Sequence, residues 1–366
     1  MVDCNKMRRL IGVLFFAALA STSPAAFGEG KTNLDALLRD AITNNDLTLL
    51  KDAIAAGADV NTKEPGKYAL YCTPLSWAVK AASMGPPDGL FAIQEREITK
   101  ALVDAGANVN QTCDDGQTAL SVAADSVSPM TIEILIAAGA DVKHEDQFSA
   151  TPLLKVLSAA STCTDLVNTC ENFSKKDVFD SVSKLVDAGA DVNFIQNFGG
   201  VGNYPLREAI RWNDEDIIFY LLKHGADVNP FVTHGQEVAI KSPPLFEAAK
   251  FSSPDVIRAL ISAGGDVNAR YWSGSTPLMQ ASKYGRADIV RILLVAGAEI
   301  NAHDLLFGDT ALIFAAKNNQ AEVVRTLISA GADVSVKNKK GDTALKIATR
   351  KKIKDVVQLL KDAGVR

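Results

Sequence analysis

The chain has 366 residues and a formal net charge of −5. Hydrophobic residues make up 47% of it and aromatic residues 7%, which excludes an intrinsically disordered chain and is typical of a globular one. A negative charge this mild gives no electrostatic basis for binding nucleic acid or an anionic membrane with the whole protein.

The first predicted element is a secretory signal peptide over residues 1–28. Two arginines precede an apolar run from Leu10 to Ala20, and small residues surround Pro24, which is the three-part layout of such peptides. A membrane anchor is the alternative, but it needs roughly 20 apolar residues, more than this run contains. We therefore predict export to the periplasm or the exterior, with cleavage after Ala25, Ala26 or Gly28.

The rest of the chain repeats itself. The segment LVDAGADVN at Leu185–Asn193 has near copies at Ala53–Asn61, Leu260–Asn268 and Leu327–Ser335. Its turn glycine recurs with a base period of 33 residues, at Gly57, Gly106, Gly139, Gly189, Gly225, Gly264, Gly297, Gly331 and Gly364. A second motif, TPL or TAL, begins at Thr73, Thr118, Thr151, Thr276, Thr310 and Thr343, and reads YPL at Tyr204 and PPL at Pro243.

Each repeat predicts a pair of helices followed by an extended loop. Thr caps the first helix and Pro fits its first position. A second, amphipathic helix such as Ala287–Gly297 follows, and its glycine ends it in the left-handed conformation. The segment that continues from ADVN is then a finger that crosses to the next repeat.

These motifs resemble the ankyrin repeat family, and the resemblance covers residues 33–366. It implies an all-α solenoid of stacked helix–turn–helix repeats with β-hairpin or finger loops, since one helix pair cannot bury its own apolar face. The family's histidine after TPL is absent throughout. Nine repeats are predicted, over residues 33–61, 62–110, 111–143, 144–193, 194–229, 230–268, 269–301, 302–335 and 336–366.

Four cysteines remain after the signal peptide is removed, an even count that indicates disulfides in an exported protein. Cys163 and Cys170 share an insertion, whereas Cys72 precedes the TPL of repeat two and Cys113 lies in the next finger. We favour the pairings 72–113 and 163–170 over the two other sets. No CxxC motif is present, so a structural role is favoured over a redox role.

A partner-binding surface is predicted on the concave face of the later repeats. Near the ends of their first helices, cations and aromatic residues stand side by side, and fingers add further aromatics: Arg211, Trp212, Lys250, Phe251, Lys283, Tyr284, Phe231, Tyr271, Trp272 and Phe307. Large aromatics and arginine are typical anchors of protein interfaces. The alternative is that these aromatics pack on their own repeats. A partner would present carboxylates opposite the cations.

No catalytic motif, metal-ligand spacing or cofactor motif was found, so we predict no catalytic residue, no metal and no cofactor. The main hypothesis is an exported monomer that binds a protein, for example a periplasmic enzyme, without catalysis. One alternative is an inhibitor or immunity protein that acts through its insertions, Ser83–Arg96 and Ser161–Lys176. Another is a secreted effector directed at a host cell. No nucleic-acid partner and no membrane span are expected.

Overall fold

The computed structural model describes residues 27–65, 71–83, 89–162, 173–196, 202–230 and 242–364. These residues form eighteen helices and one pair of two-residue strands, so the prediction of an all-α repeat fold with short hairpins is confirmed. The chain divides into two compact parts, Met1–Asn108 and Val109–Arg366. The exact repeat boundaries and the signal peptide stay predictions; residues 1–26 lie outside the described residues.

The described residues of the N-terminal part form two helix pairs and a minimal hairpin. Its elements are α1 (Phe27–Thr43), α2 (Leu47–Ala55), β1 (Glu64–Pro65), β2 (Tyr71–Cys72), α3 (Pro74–Ser83) and α4 (Gly89–Asp104). The strands are antiparallel, with Glu64 opposite Cys72. Helix α1 packs on α2 and α3, and α4 packs on α2 and α3. Helix α1 begins before Asn33, where the first repeat was predicted to begin.

The C-terminal part contains seven helix pairs. They are α5 (Ala119–Asp125) and α6 (Pro129–Ala137), α7 (Pro152–Thr162) and α8 (Lys175–Asp187), α9 (Pro205–Trp212) and α10 (Glu215–Lys223), α11 (Pro244–Phe251) and α12 (Pro254–Ser262), α13 (Pro277–Lys283) and α14 (Ala287–Val295), α15 (Ala311–Lys317) and α16 (Ala321–Ser329), and α17 (Ala344–Arg350) and α18 (Lys354–Asp362). First helices stack on first helices and second helices on second helices, so the repeats share one core.

The repeated motif residues have the roles that the sequence predicts. Thr118, Thr276, Thr310 and Thr343 each accept a backbone hydrogen bond as the N-cap of a first helix. The leucine of the same motif is buried in repeats two to eight. All nine turn glycines have positive φ, for example +92° at Gly297, and this is the left-handed conformation that glycine adopts without a Cβ clash.

The asparagine that ends the GADVN motif joins its repeat to the next one. The Nδ2 group of Asn229 donates to the carbonyl oxygen of Gly264 (2.8 Å), and its Oδ1 accepts from the backbone N–H of Asp266 (2.9 Å). Asn193 and Asn268 make the same two bonds with the turns that follow them. This contact explains why the motif ends in asparagine.

Neighbouring fingers are also joined through their backbones. The N–H of Leu305 donates to the carbonyl of Ser273 (2.8 Å), and the N–H of Lys339 donates to the carbonyl of Phe307 (2.9 Å). The fingers of repeats seven, eight and nine are therefore held in register without the family's histidine. Among the described residues, no helix is long and apolar enough to cross a membrane.

Candidate functional site

We refer to the cations and aromatic residues of the predicted partner-binding surface as the stripe. The structure places them in several separate groups. Lys250, Phe251, Lys283 and Tyr284 come together, and we refer to these four as the cation–aromatic cluster. They meet because α11 and α13 pack side by side and each of these residues lies at or just past the end of its helix. Phe251 meets Tyr284 edge to face, with ring centroids 5.4 Å apart.

Both lysines of the cation–aromatic cluster lie against its rings. The Nζ of Lys250 is 4.3 Å from the Phe251 centroid and 5.1 Å from the Tyr284 centroid. The Nζ of Lys283 is 5.3 Å from the Tyr284 centroid. Neither ammonium forms an ion pair with any described carboxylate. The cluster therefore presents two positive charges and the Phe251 ring, which is 61% exposed.

The fingers of repeats seven and eight expose a second apolar group, which we call the finger-tip patch: Trp272, Leu305, Leu306 and Phe307. The two fingers touch so closely that a Cβ on Gly274 would lie 2.4 Å from Cγ of Leu305. Phe307 has the ammonium of Lys317 5.7 Å from its centroid. The leucines were not among the predicted site residues, although their place in the finger loop was a usable signal.

Other predicted residues are engaged inside the protein. Tyr271 is half-buried and stacks on Phe246, with centroids 4.7 Å apart and an interplanar angle of 4°. Phe246 stands where the family has its TPL histidine, so for Tyr271 the packing interpretation is the better supported. Arg211 forms an ion pair with Glu208 (3.0 Å), and the ring of Trp212 has Lys175 over it at 5.7 Å.

The remaining predicted residues are the cysteines and one aromatic. Cys72 and Cys113 are each disulfide-bonded. Cys163, Cys170 and Phe231 lie outside the described residues, as do residues 84–88 of the first insertion and 163–172 of the second. The rest of the first insertion, from Gly89, belongs to α4. No group of three or more potential metal ligands occurs in the part of the chain that the structure describes.

Several basic side chains form ion pairs within their own repeat. The sequence pattern alone does not distinguish them from Lys250 and Lys283. Asp309 binds Lys317 in repeat eight, and Asp342 binds Lys346 and Arg350 in repeat nine, each at 2.7 Å. Hydrogen bonds from Lys346 and then Arg350 lower the pKa of Asp342 to about 2. The basic residues near the ends of α15 and α17, Lys317 and Arg350, thus have carboxylate partners within their own repeats.

Comparison with known proteins assigns the family. A model described as ankyrin repeats (3 copies) matches residues 38–146, 231–304 and 278–366, and a model described as ankyrin repeat matches residues 201–231. These matches cover more than half of the sequence, and the chain belongs to the ankyrin repeat family.

Two individual proteins are similar to the chain. The crystal structure of the human ASB11 ankyrin repeat domain superposes with a TM-score of 0.55 and 24% identity, covering 68% of this chain and 99% of that one; this likeness shows the fold alone. BRCA1-associated RING domain protein 1 of Caenorhabditis elegans is 33% identical over 138 residues. That match covers 34% of this chain and only 17% of the length of the worm protein.

Proposed function

We propose that the protein is an exported, non-enzymatic binding module that holds a partner protein on its aromatic–basic stripe, with the cation–aromatic cluster at the centre. The observation that carries this proposal is the exposed ring of Phe251 (61%), which lies in a cluster with two lysines that have no carboxylate partner among the described residues. The ring of Trp272 in the finger-tip patch is also exposed (59%). Exposed aromatic rings that cluster with cations are typical of an interface.

The family supports a protein as the partner. Ankyrin repeats are generally a non-enzymatic interaction scaffold, and the stacked first helices and fingers form an extended surface. Aromatic rings contribute large contact areas at small entropic cost, and lysines at their edges select a partner of opposite charge. The chemistry of the stripe therefore favours an acidic protein surface.

Export is supported by two features of the chain. The N-terminal segment has the layout of a signal peptide, and two of the cysteines that remain after its removal are disulfide-bonded. Disulfides persist in oxidising compartments such as the periplasm or the exterior. The intact mass of the mature protein, measured after expression of the full chain, tests cleavage near Ala26.

The experiment for the binding function is affinity capture from periplasmic or extracellular extract. Wild type is compared with a variant in which Trp212, Trp272 and Tyr284 are changed to Ala. The matched control changes two exposed aromatics outside the stripe, Phe148 and Phe219, to Ala. Circular dichroism establishes that each variant is folded.

We expect at least one protein to be captured by wild type and by the control but not by the stripe variant. Capture of the same proteins by all three would contradict the proposed surface. The insertions would then be the next part of the molecule to delete, which is the inhibitor hypothesis.

A further inference from the structure

In the last two repeats a carboxylate in the finger neutralises the basic residue near the end of the first helix. In repeat eight Asp309 precedes the capping threonine and binds Lys317; in repeat nine Asp342 precedes its threonine and binds Arg350 at 2.7 Å. In both cases the two residues are eight positions apart. The same ion pair therefore recurs in both repeats and links the finger to the end of the first helix.

Repeats six and seven have a serine in place of that carboxylate. Ser242 lies eight positions before Lys250, and Ser275 lies eight positions before Lys283. The two hydroxyls are engaged elsewhere, Ser242 with Glu247 and Ser275 with Ser273. The lysines therefore contact aromatic rings and, among the described residues, no carboxylate. Among the described residues, this difference explains why Lys317 has a carboxylate partner in its finger whereas Lys250 and Lys283 do not.

We infer that the partner supplies the missing carboxylates, through an extended acidic segment that lies across repeats six and seven; this inference rests on the proposed binding function. Both ammonium groups border the same Tyr284 ring, at 5.1 and 5.3 Å from its centroid. In an extended chain, alternate side chains lie about 7 Å apart on one side. Acidic residues at alternate positions can thus reach both lysines.

The charge of the whole chain favours a short acidic segment over a polyanion. With a net charge of −5, the protein repels nucleic acid and anionic bilayers at long range, whereas a short segment interacts mainly with the local positive site. Lys250 is half-buried, so its ammonium would bind a carboxylate in a partly desolvated setting, where charge-assisted hydrogen bonds are stronger.

The test uses two labelled peptides, GSEFELESG and its uncharged counterpart GSQFQLQSG, with fluorescence anisotropy at low and physiological salt. We expect the Glu peptide to bind wild type at least about tenfold more tightly than the Gln peptide, the effect of one charge-assisted contact. Ser275→Asp supplies the carboxylate from within the chain. It is expected to weaken binding of the Glu peptide about tenfold and to leave the Gln peptide unchanged.

Two controls separate charge from damage to the fold. Ser275→Asn has the same size as the Asp variant without its charge, and it should keep the wild-type preference. Asp309→Ser releases Lys317 in repeat eight and should not reduce that preference. Equal binding of both peptides by wild type would overturn the inference, and so would unchanged binding of the Glu peptide by Ser275→Asp.

The outcome also distinguishes this inference from the proposed function. If the stripe variant loses its captured partner while both peptides bind wild type equally, the binding surface stands and the acidic segment is wrong. A lipid headgroup is the alternative ligand. It is indicated if wild type sediments with phosphatidylserine vesicles, if Ser275→Asp abolishes this sedimentation, and if wild type binds the Glu and Gln peptides equally. That result overturns the inference.

Discussion

Replacing Lys155 with Met tests the most buried ion pair that the structure describes. Lys155 projects from α7, and its Nζ lies 2.8 Å from Asp146 and 3.0 Å from Asp125. The side chain of Asp146 is 0% exposed and that of Lys155 is 9% exposed, whereas that of Asp125 is 45% exposed. Removal of the ammonium therefore leaves one carboxylate uncompensated in the interior.

The size of the expected loss of stability depends on the interactions that Asp146 retains in the variant. Removing one partner of a buried ion pair costs about 3–5 kcal/mol. Two hydrogen bonds, from the backbone N–H groups of Phe148 and Ala150 at 2.9 Å each, still stabilise the carboxylate. Asp125 is half-exposed and can be hydrated again. We therefore expect Lys155→Met to lower the free energy of unfolding by about 3 kcal/mol, the lower end of that range.

The pH dependence gives a second signature. Burial is the largest influence on Asp146 and raises its pKa, but the ammonium of Lys155 and the amides of Ala150 and Phe148 outweigh it, so the pKa is below its ordinary value. Lys155→Met removes two of the influences that lower this pKa, so the pKa of Asp146 is raised in the variant relative to wild type. A group with a raised pKa favours folding when protonated. The deficit of the variant should therefore shrink as the pH falls towards 4.

Urea unfolding at pH 7 and at lower pH measures both effects. Arg291→Met is the matched control, since Arg291 and Glu322 are both more than half exposed and such a pair contributes about 0–1 kcal/mol. Adding Asp146→Asn to Lys155→Met removes the buried charge and keeps an acceptor, so most of the loss should be recovered. The reasoning is refuted if Lys155→Met lowers the free energy of unfolding no more than Arg291→Met does. It is also refuted if the double variant is no more stable than Lys155→Met.

Three further predictions concern separate features of the chain. Lys346 and Arg350 lower the pKa of Asp342 to about 2. The contribution of this carboxylate to stability is therefore complete above pH 4 and is lost as the pH falls towards 2. The difference in melting temperature between wild type and Asp342→Asn should vanish over that interval. Asn229→Ala removes two hydrogen bonds between repeats and should destabilise the protein by about 1–2 kcal/mol in urea unfolding, and an effect near zero would show that water replaces both. Peptide mapping without reductant should find Cys72 joined to Cys113 and Cys163 joined to Cys170, and any other pairing contradicts the sequence prediction.

The sequence by itself determined the repeat fold. A left-handed glycine, a capping threonine and a buried leucine are local requirements of the chain, and each is visible in GADVN or TPL without knowledge of neighbours. Their period fixes how often a helix pair recurs, and the inability of one pair to bury its apolar face fixes that pairs must stack. The class of fold and the expectation of a protein partner follow from these features.

Only the tertiary structure decided which stripe residues are free to bind. Sequence spacing puts Lys250, Lys283 and Lys317 at equivalent positions. The side chain of Lys317 binds a carboxylate in its finger, whereas the other two lysines lie against aromatic rings. In the same way Tyr271 and Trp272 are adjacent in sequence, yet one stacks on Phe246 and the other is exposed. Side-chain contacts across the fold, which a one-dimensional pattern does not contain, make these distinctions.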